Sequence, residues 1–207
     1  MNDSFLRRAL PIAAIVAITL GTIAWSIRRF LEFPSFDFDL EQASLGRFLY
    51  ISVLQILFFL ALALPCLANL GVKKANQFAN IGLVASTVMA VLKLVNLFFF
   101  QVLIPVLDAH FWLDWNLSHW CFKASILATG ASLLCHTLIS LCLCNKVIGY
   151  LAVPFFLVTA AAILLVLLEI RDDWFWVLHV IPAFAIVLLC SIATIQDEKK
   201  HQEQAIG

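Results

Sequence analysis

Lys93 stands inside an unbroken apolar run of the chain, with Ser86 seven residues before it and Asn96 three after it. On a helix these three share one face. An ammonium facing lipid at that depth costs ~2.5–3.5 kcal/mol on insertion scales, so a lysine so placed usually faces the interior of a bundle. The alternative is that it snorkels, with its stem along the helix and its charge at the interface. Snorkelling would account for Lys93 and leave Asn96 and Gln55 without a reason. Gln55 and Thr129 reach similar depth, ~12 Å from the ends of their runs at 1.5 Å per residue. His179 lies slightly shallower, and Glu169 closes the end of another run. The expected contacts of Lys93 are Asn96, Gln55 or His179, with Glu169 as its carboxylate, because a buried charge finds a partner or loses its proton. Lys93, Asn96, Gln55, Glu169, His179 and Thr129 are therefore the candidate ligand-binding residues. Together they offer charge and hydrogen bonds to a small or lipid-like ligand.

Other residues of reactive type lead to less. His136 and His179 both lie within apolar runs and invite haem ligation. Their depths are ~22 Å and ~9 Å below the same ends of their helices, and one iron cannot take axial ligands ~13 Å apart. Asp108, His110, Asp114 and His119 are metal-binding types, yet their spacing follows no metal template. No metal and no cofactor is expected. Of the six cysteines, Cys142-Leu143-Cys144 is C-x-C rather than the C-x-x-C of redox and zinc sites. Cys66, Cys121, Cys135, Cys142, Cys144 and Cys190 are expected to be unpaired and to pack as small apolar groups; the C-x-C pair beside a helix end would also permit S-acylation.

Gly130-Ala131-Ser132 on one run and His179 on another resemble the serine and histidine that rhomboid proteases place on separate helices. That family's motif is Gly-x-Ser-Gly, and Leu133 holds the second glycine's place here. Pro182 and Phe184 stand where the family's close-packing glycines follow the histidine. The resemblance covers four residues and implies an intramembrane enzyme as one alternative. Small residues of this kind are also ordinary at helix contacts.

The elements that must position these groups are read from composition. The 207 residues are 63% hydrophobic and 13% charged, with mean hydropathy +1.01. A soluble domain carries roughly 25% charged residues, and a short chain cannot hide such an apolar surplus in one core. Lipid is the fitting solvent. Six apolar runs, approximately 9–27, 48–70, 78–103, 121–144, 147–168 and 174–195, match the ~17–25 residues of a spanning helix. Their unbroken character excludes the alternation of a barrel strand. The fold expected is all-α: a polytopic membrane protein, one domain over 1–207, a bundle of about six transmembrane helices. Arg7 and Arg8 precede a first run too long for the ~7–15 apolar residues of a signal peptide, so that run is read as an uncleaved span. Pro65, Pro105, Pro154 and Pro182 are expected to kink helices. The segment from Gln196 is polar and expected to fray, and 28–47 and 108–120 are read as the two longer loops.

Charge decides what remains. Thirteen basic residues balance thirteen acidic ones; there is no basic stripe for nucleic acid and no polybasic flank for anionic lipid heads. Loop lysines and arginines set orientation. With the N-terminus cytoplasmic, Arg7, Arg8, Lys73, Lys74, Lys146, Lys199 and Lys200 lie inside, against Arg28, Arg29, Arg47, Lys123 and Arg171 outside. Both termini are thus expected in the cytoplasm, the polar pocket facing outward. All six tryptophans then fall at outer ends. The function this supports is a small carrier or binding protein for a small or lipid-like ligand. The alternatives are a structural or assembly subunit of a membrane complex, with the polar residues gluing helices between chains, or an intramembrane enzyme.

Overall fold

Unbroken runs of Leu, Ile, Val, Ala and Phe leave the backbone no partner but itself in lipid, and a helix satisfies every N–H and C=O within the segment. The computed structural model describes residues 3–31, 45–98, 111–143, 146–168 and 175–206. Those residues form six helices and no strand: α1 (Asp3–Leu31), α2 (Leu45–Asn69), α3 (Asn76–Phe98), α4 (Phe111–Cys142), α5 (Lys146–Leu167) and α6 (Phe175–Ile206). Each contains an apolar stretch long enough to cross a bilayer. The chain is a multi-pass membrane protein.

The helices alternate in direction and close into a ring. Each packs on its neighbours in sequence, and α1 packs on α6. Across the ring, α4 touches α6 and both touch α2, so the three even helices meet at the centre and the odd ones lie outside. Burial follows suit: 61%, 50% and 33% of the apolar stretches of α4, α6 and α2 are buried, against 22% for each odd helix. The outer helices show lipid a stripe of aliphatic side chains. On α1 these are Ile12, Val16, Leu20 and Ile23, all more than half exposed, at the three- and four-residue spacing of one helical face.

Charge distinguishes the two ends of the bundle. At the Arg7 end lie the start of α1 and the close of α6; at the Lys93 end lie the close of α3 and the start of α6. The central core joins five helices through Ala17, Ile18, Ala61, Leu62, Met89, Leu133, Ala183, Ile186 and Val187. A second cluster at the Arg7 end is built on Cys66, Ala79, Ile139, Cys190 and Ala193. Small residues set the close approaches. A Cβ on Gly149 would lie 2.7 Å from the Leu141 Cα, and one on Gly82 would lie 2.8 Å from the Cys66 sulfur.

Two expectations are corrected. The segment from Gln196 does not fray: α6 runs on to Ile206, with Asp197 and Glu198 buried. The reason is ionic. Arg7 on α1 donates from one guanidinium nitrogen to Glu198 at 2.7 Å and from another to Asp197 at 3.1 Å. Arg8 bonds Gln202, and Gln202 donates to Glu198. Likewise 108–120 is not a loop throughout, because α4 starts at Phe111 and carries Asp114 and His119 on its first turns. The segment 32–44, Pro105, Cys144 and Glu169 lie outside the described residues.

Candidate ligand-binding site

Side chains on a helix leave the backbone tilted toward its N-terminus. For α3 that direction leads away from the Lys93 end and deeper into the bundle. Lys93 follows it: its Nζ lies 4.8 Å from the centroid of the Phe58 ring on α2. Phe58 is nine residues, ~13 Å, inside the apolar stretch that opens at Leu49. The ammonium thus rests against a ring of the neighbouring helix α2. His179 lies near the start of α6, at the same end of the bundle, and is 7% exposed. The candidate residues Gln55, Lys93 and His179 are thus carried by α2, α3 and α6.

Lys93 has no carboxylate in ion-pair reach among the described residues; of the acidic side chains described, Asp197 and Glu198 are engaged at the other end, on Arg7. A cation over an aromatic face gains ~0.5–2 kcal/mol, less than the ~2.5–3.5 kcal/mol that insertion scales charge for a lysine at mid-membrane. The π contact alone does not balance the ammonium.

Gln55 lies one turn before Phe58, on the same side of α2. Its Oε1 is enclosed and has no hydrogen-bond partner among the described residues. Asn96 is half-buried one turn beyond Lys93 on α3. Thr129 is buried on α4, where its hydroxyl donates to the Ser125 carbonyl at 2.8 Å and is spent on its own helix. Lys93 meets Phe58; Gln55 stands one turn from Phe58 and Asn96 one turn from Lys93; Thr129 is engaged on its own helix.

The other polar groups form separate layers nearer the Arg7 end. Ser132 and Ser86 share a hydrogen bond of 2.8 Å. The histidine beside Ser132 is His136, whose Nδ1–H donates to the Ser132 carbonyl at 2.7 Å and whose Nε2 faces the Cys66 sulfur at 3.9 Å. The Ser132 hydroxyl is thus engaged with a serine of α3, not positioned by His179 in the rhomboid manner. Nearer still to the Arg7 end, Asn69 donates to Thr194 at 2.8 Å, tying α2 to α6. Cys66, Cys121, Cys135, Cys142 and Cys190 are free thiols, three of them buried where α2, α4 and α6 meet.

The residues that sequence reasoning missed are Asp197, Glu198 and Gln202 as partners of Arg7 and Arg8. A signal was present: Asp197 with His201, and Glu198 with Gln202, are spaced four apart, which is helical spacing. What pointed to Arg7 was only the chemistry of two adjacent acids following an apolar span. Compared with known proteins, the chain matches no family model, no curated protein and no solved structure.

Proposed function

We infer that this chain is a small membrane binding protein or carrier, and that its ligand site lies among α2, α3 and α6 around Lys93. The observation that carries the reading is the position of the Lys93 ammonium: over the Phe58 ring of α2, and without a carboxylate among the described residues. A group that costs this much to bury, and that no carboxylate among the described residues neutralises, is a candidate for contact with an external ligand. In the same reading the Arg7 end is cytoplasmic and the Lys93 end faces outward, in line with the basic residues near each end.

The assembly-subunit reading comes second. It would place gluing polar groups on the lipid-facing surface. On the exposed face of α3 the one hydroxyl in the span, Thr87, donates back to the Leu83 carbonyl of its own helix, and its neighbours there are Val84, Val88, Val91 and Leu94. The enclosed Gln55 carbonyl oxygen has no hydrogen-bond partner among the described residues. That arrangement favours a ligand over a partner chain.

Cysteine labelling in sealed vesicles tests both points. A Lys93→Cys protein is expected to react with a membrane-impermeant maleimide above the wild-type background, from one face only. A Lys200→Cys protein is expected to react from the opposite, cytoplasmic face. If Lys93→Cys reacts only after detergent is added, the site is sealed and the assembly reading takes its place. If Lys200→Cys reacts from the outer face, the orientation is inverted.

A further inference from the structure

We propose that the Arg7 end of the bundle is a docking surface for anionic bilayer lipids, whose phosphates meet lysines gathered from three separate segments. These are Lys73 and Lys74, Lys146, and Lys199 and Lys200. The inference stands apart from the Lys93 region and does not depend on how that region is read.

No span carries a polybasic flank of its own; the fold assembles one. Ala75 from the α2–α3 turn, Leu143 and Ile148 on either side of the α4–α5 turn, and Cys190 and Ala193 of α6 pack in one apolar cluster, with Leu70 and Val72 against it. Lys73 and Lys74 stand between Val72 and Ala75, and Lys146 between Leu143 and Ile148. Lys199 and Lys200 follow Ala193 by about two turns of α6. The cluster therefore holds both turns and α6 together, and the lysines ring it. All five are exposed.

Burial then sharpens the charge. The acidic residues of this end are Asp3, Asp197, Glu198 and Glu203. Asp197 and Glu198 are 3% and 5% exposed and bonded to Arg7, so two of the four carboxylates are withdrawn from the surface along with one cation. Glu203 stands 3.9 Å from Lys199 as an exposed pair, which offsets little. The described face that remains is cationic.

Placement selects lipid over an anion from water. Only residues 70–75 separate the apolar stretch of α2, which closes at Asn69, from that of α3, which opens at Asn76. The stretch of α4 closes at Cys142 and that of α5 opens at Lys146. Turns this short hold Lys73, Lys74 and Lys146 at the level of the head groups. Beside Lys146, Val147 and Tyr150 are 67% and 66% exposed, an apolar flank that a free anion would leave bare and that acyl chains cover. Tyrosine at this level is typical of the membrane interface. Groups of ~4–8 basic residues next to a span attract anionic lipid in this way.

The experiment is native mass spectrometry of the full chain in mild detergent, titrated with phosphatidylglycerol and with phosphatidylcholine of the same acyl chains. Wild type is expected to bind the first phosphatidylglycerol at least about tenfold more tightly, since each lysine near the surface contributes about fivefold. The combined variant Lys73→Gln, Lys74→Gln, Lys146→Gln, Lys199→Gln, Lys200→Gln is expected to bring the two lipids within about threefold of each other. Arginine at the same five positions keeps the charge and is expected to keep the preference. Lys123→Gln, on α4 at the opposite end, is expected to leave it unchanged. Equal binding of the two lipids by wild type would overturn the proposal, as would a preference that survives the five Gln changes or falls with Lys123→Gln. Glycerol phosphate, the head group without its chains, is expected not to displace the lipid at equal concentration. Displacement would overturn the proposal too, by assigning the lysines to a soluble anion.

Discussion

Arg7→Ala is expected to destabilise the protein by about 3 kcal/mol, seen as a lower midpoint of thermal unfolding in mild detergent, because it strands two buried carboxylates. Asp197 and Glu198 are 3% and 5% exposed. Arg7 meets both with separate nitrogens, at 3.1 Å and 2.7 Å, which is more than a single ammonium could do at fixed geometry. Arg7→Lys is therefore expected to recover only part of the loss. The combined variant Arg7→Met, Asp197→Asn, Glu198→Gln carries no stranded charge and is expected to be more stable than Arg7→Ala alone, since removing a buried ionic group entirely costs less than breaking it. The weaker partner is His201, whose Nε2 lies 3.6 Å from Asp197 at an exposed position; His201→Ala should move the midpoint little. An Arg7→Ala protein that unfolds with the wild type would mean the clamp only decorates a contact made by packing.

Gly149→Ala is expected to be the second large loss, and its sign is decided by two opposed terms. Alanine is favoured over glycine within a helix by about 1 kcal/mol. Against that, the new Cβ would stand 2.7 Å and 2.8 Å from the Cα and backbone nitrogen of Leu141, and backbone cannot swing aside as a side-chain tip can. Overpacking of this kind costs typically ~1–3 kcal/mol, and here the short link between α4 and α5 keeps the two helices from separating. The net expected effect is a loss of up to about 2 kcal/mol. Gly21→Ala is the control: its Cβ would meet the Leu57 Cβ at an ordinary 3.6 Å, so the helix-propensity gain stands alone and the midpoint should hold or rise. Equal behaviour of the two variants would show that the α4–α5 contact yields.

Some of this is legible in the sequence and some is not, because each signal measures a different thing. Unbroken apolarity measures contact with lipid, and it locates six spans. It does not measure where a helix ends, because the hydrogen-bond ladder of α4 or α6 continues past the hydrocarbon wherever the next turn finds a partner. For that reason 108–120 and the segment from Gln196 look unstructured by composition alone. The partner of Asp197 and Glu198 is 190 and 191 residues away, and no local pattern encodes such a distance. At the candidate site the depth of Lys93 is legible from its place in the run, and the direction of its stem follows from helix chirality. Phe58 is not, since it is one of 18 phenylalanines and only the packing of α2 against α3 selects it. Ser132 misleads for the opposite reason: a local motif suggests a nucleophile, while its partner, Ser86, lies on a different helix.

The contact between α1 and α6 makes the order of synthesis matter. Arg7 leaves the ribosome 190 and 191 residues before its acids, so at ~5–20 residues per second the guanidinium waits roughly 10–40 seconds for them. Throughout that interval α1 has only α2 beside it, and the ring stands open on the flank that α6 will fill. A nascent chain halted before Asp197 displays an uncompensated arginine at the membrane boundary, the kind of mark by which an unfinished membrane protein differs from a finished one. Arrival of α6 with its acids, rather than insertion of the spans before it, is thus the event that seals this bundle.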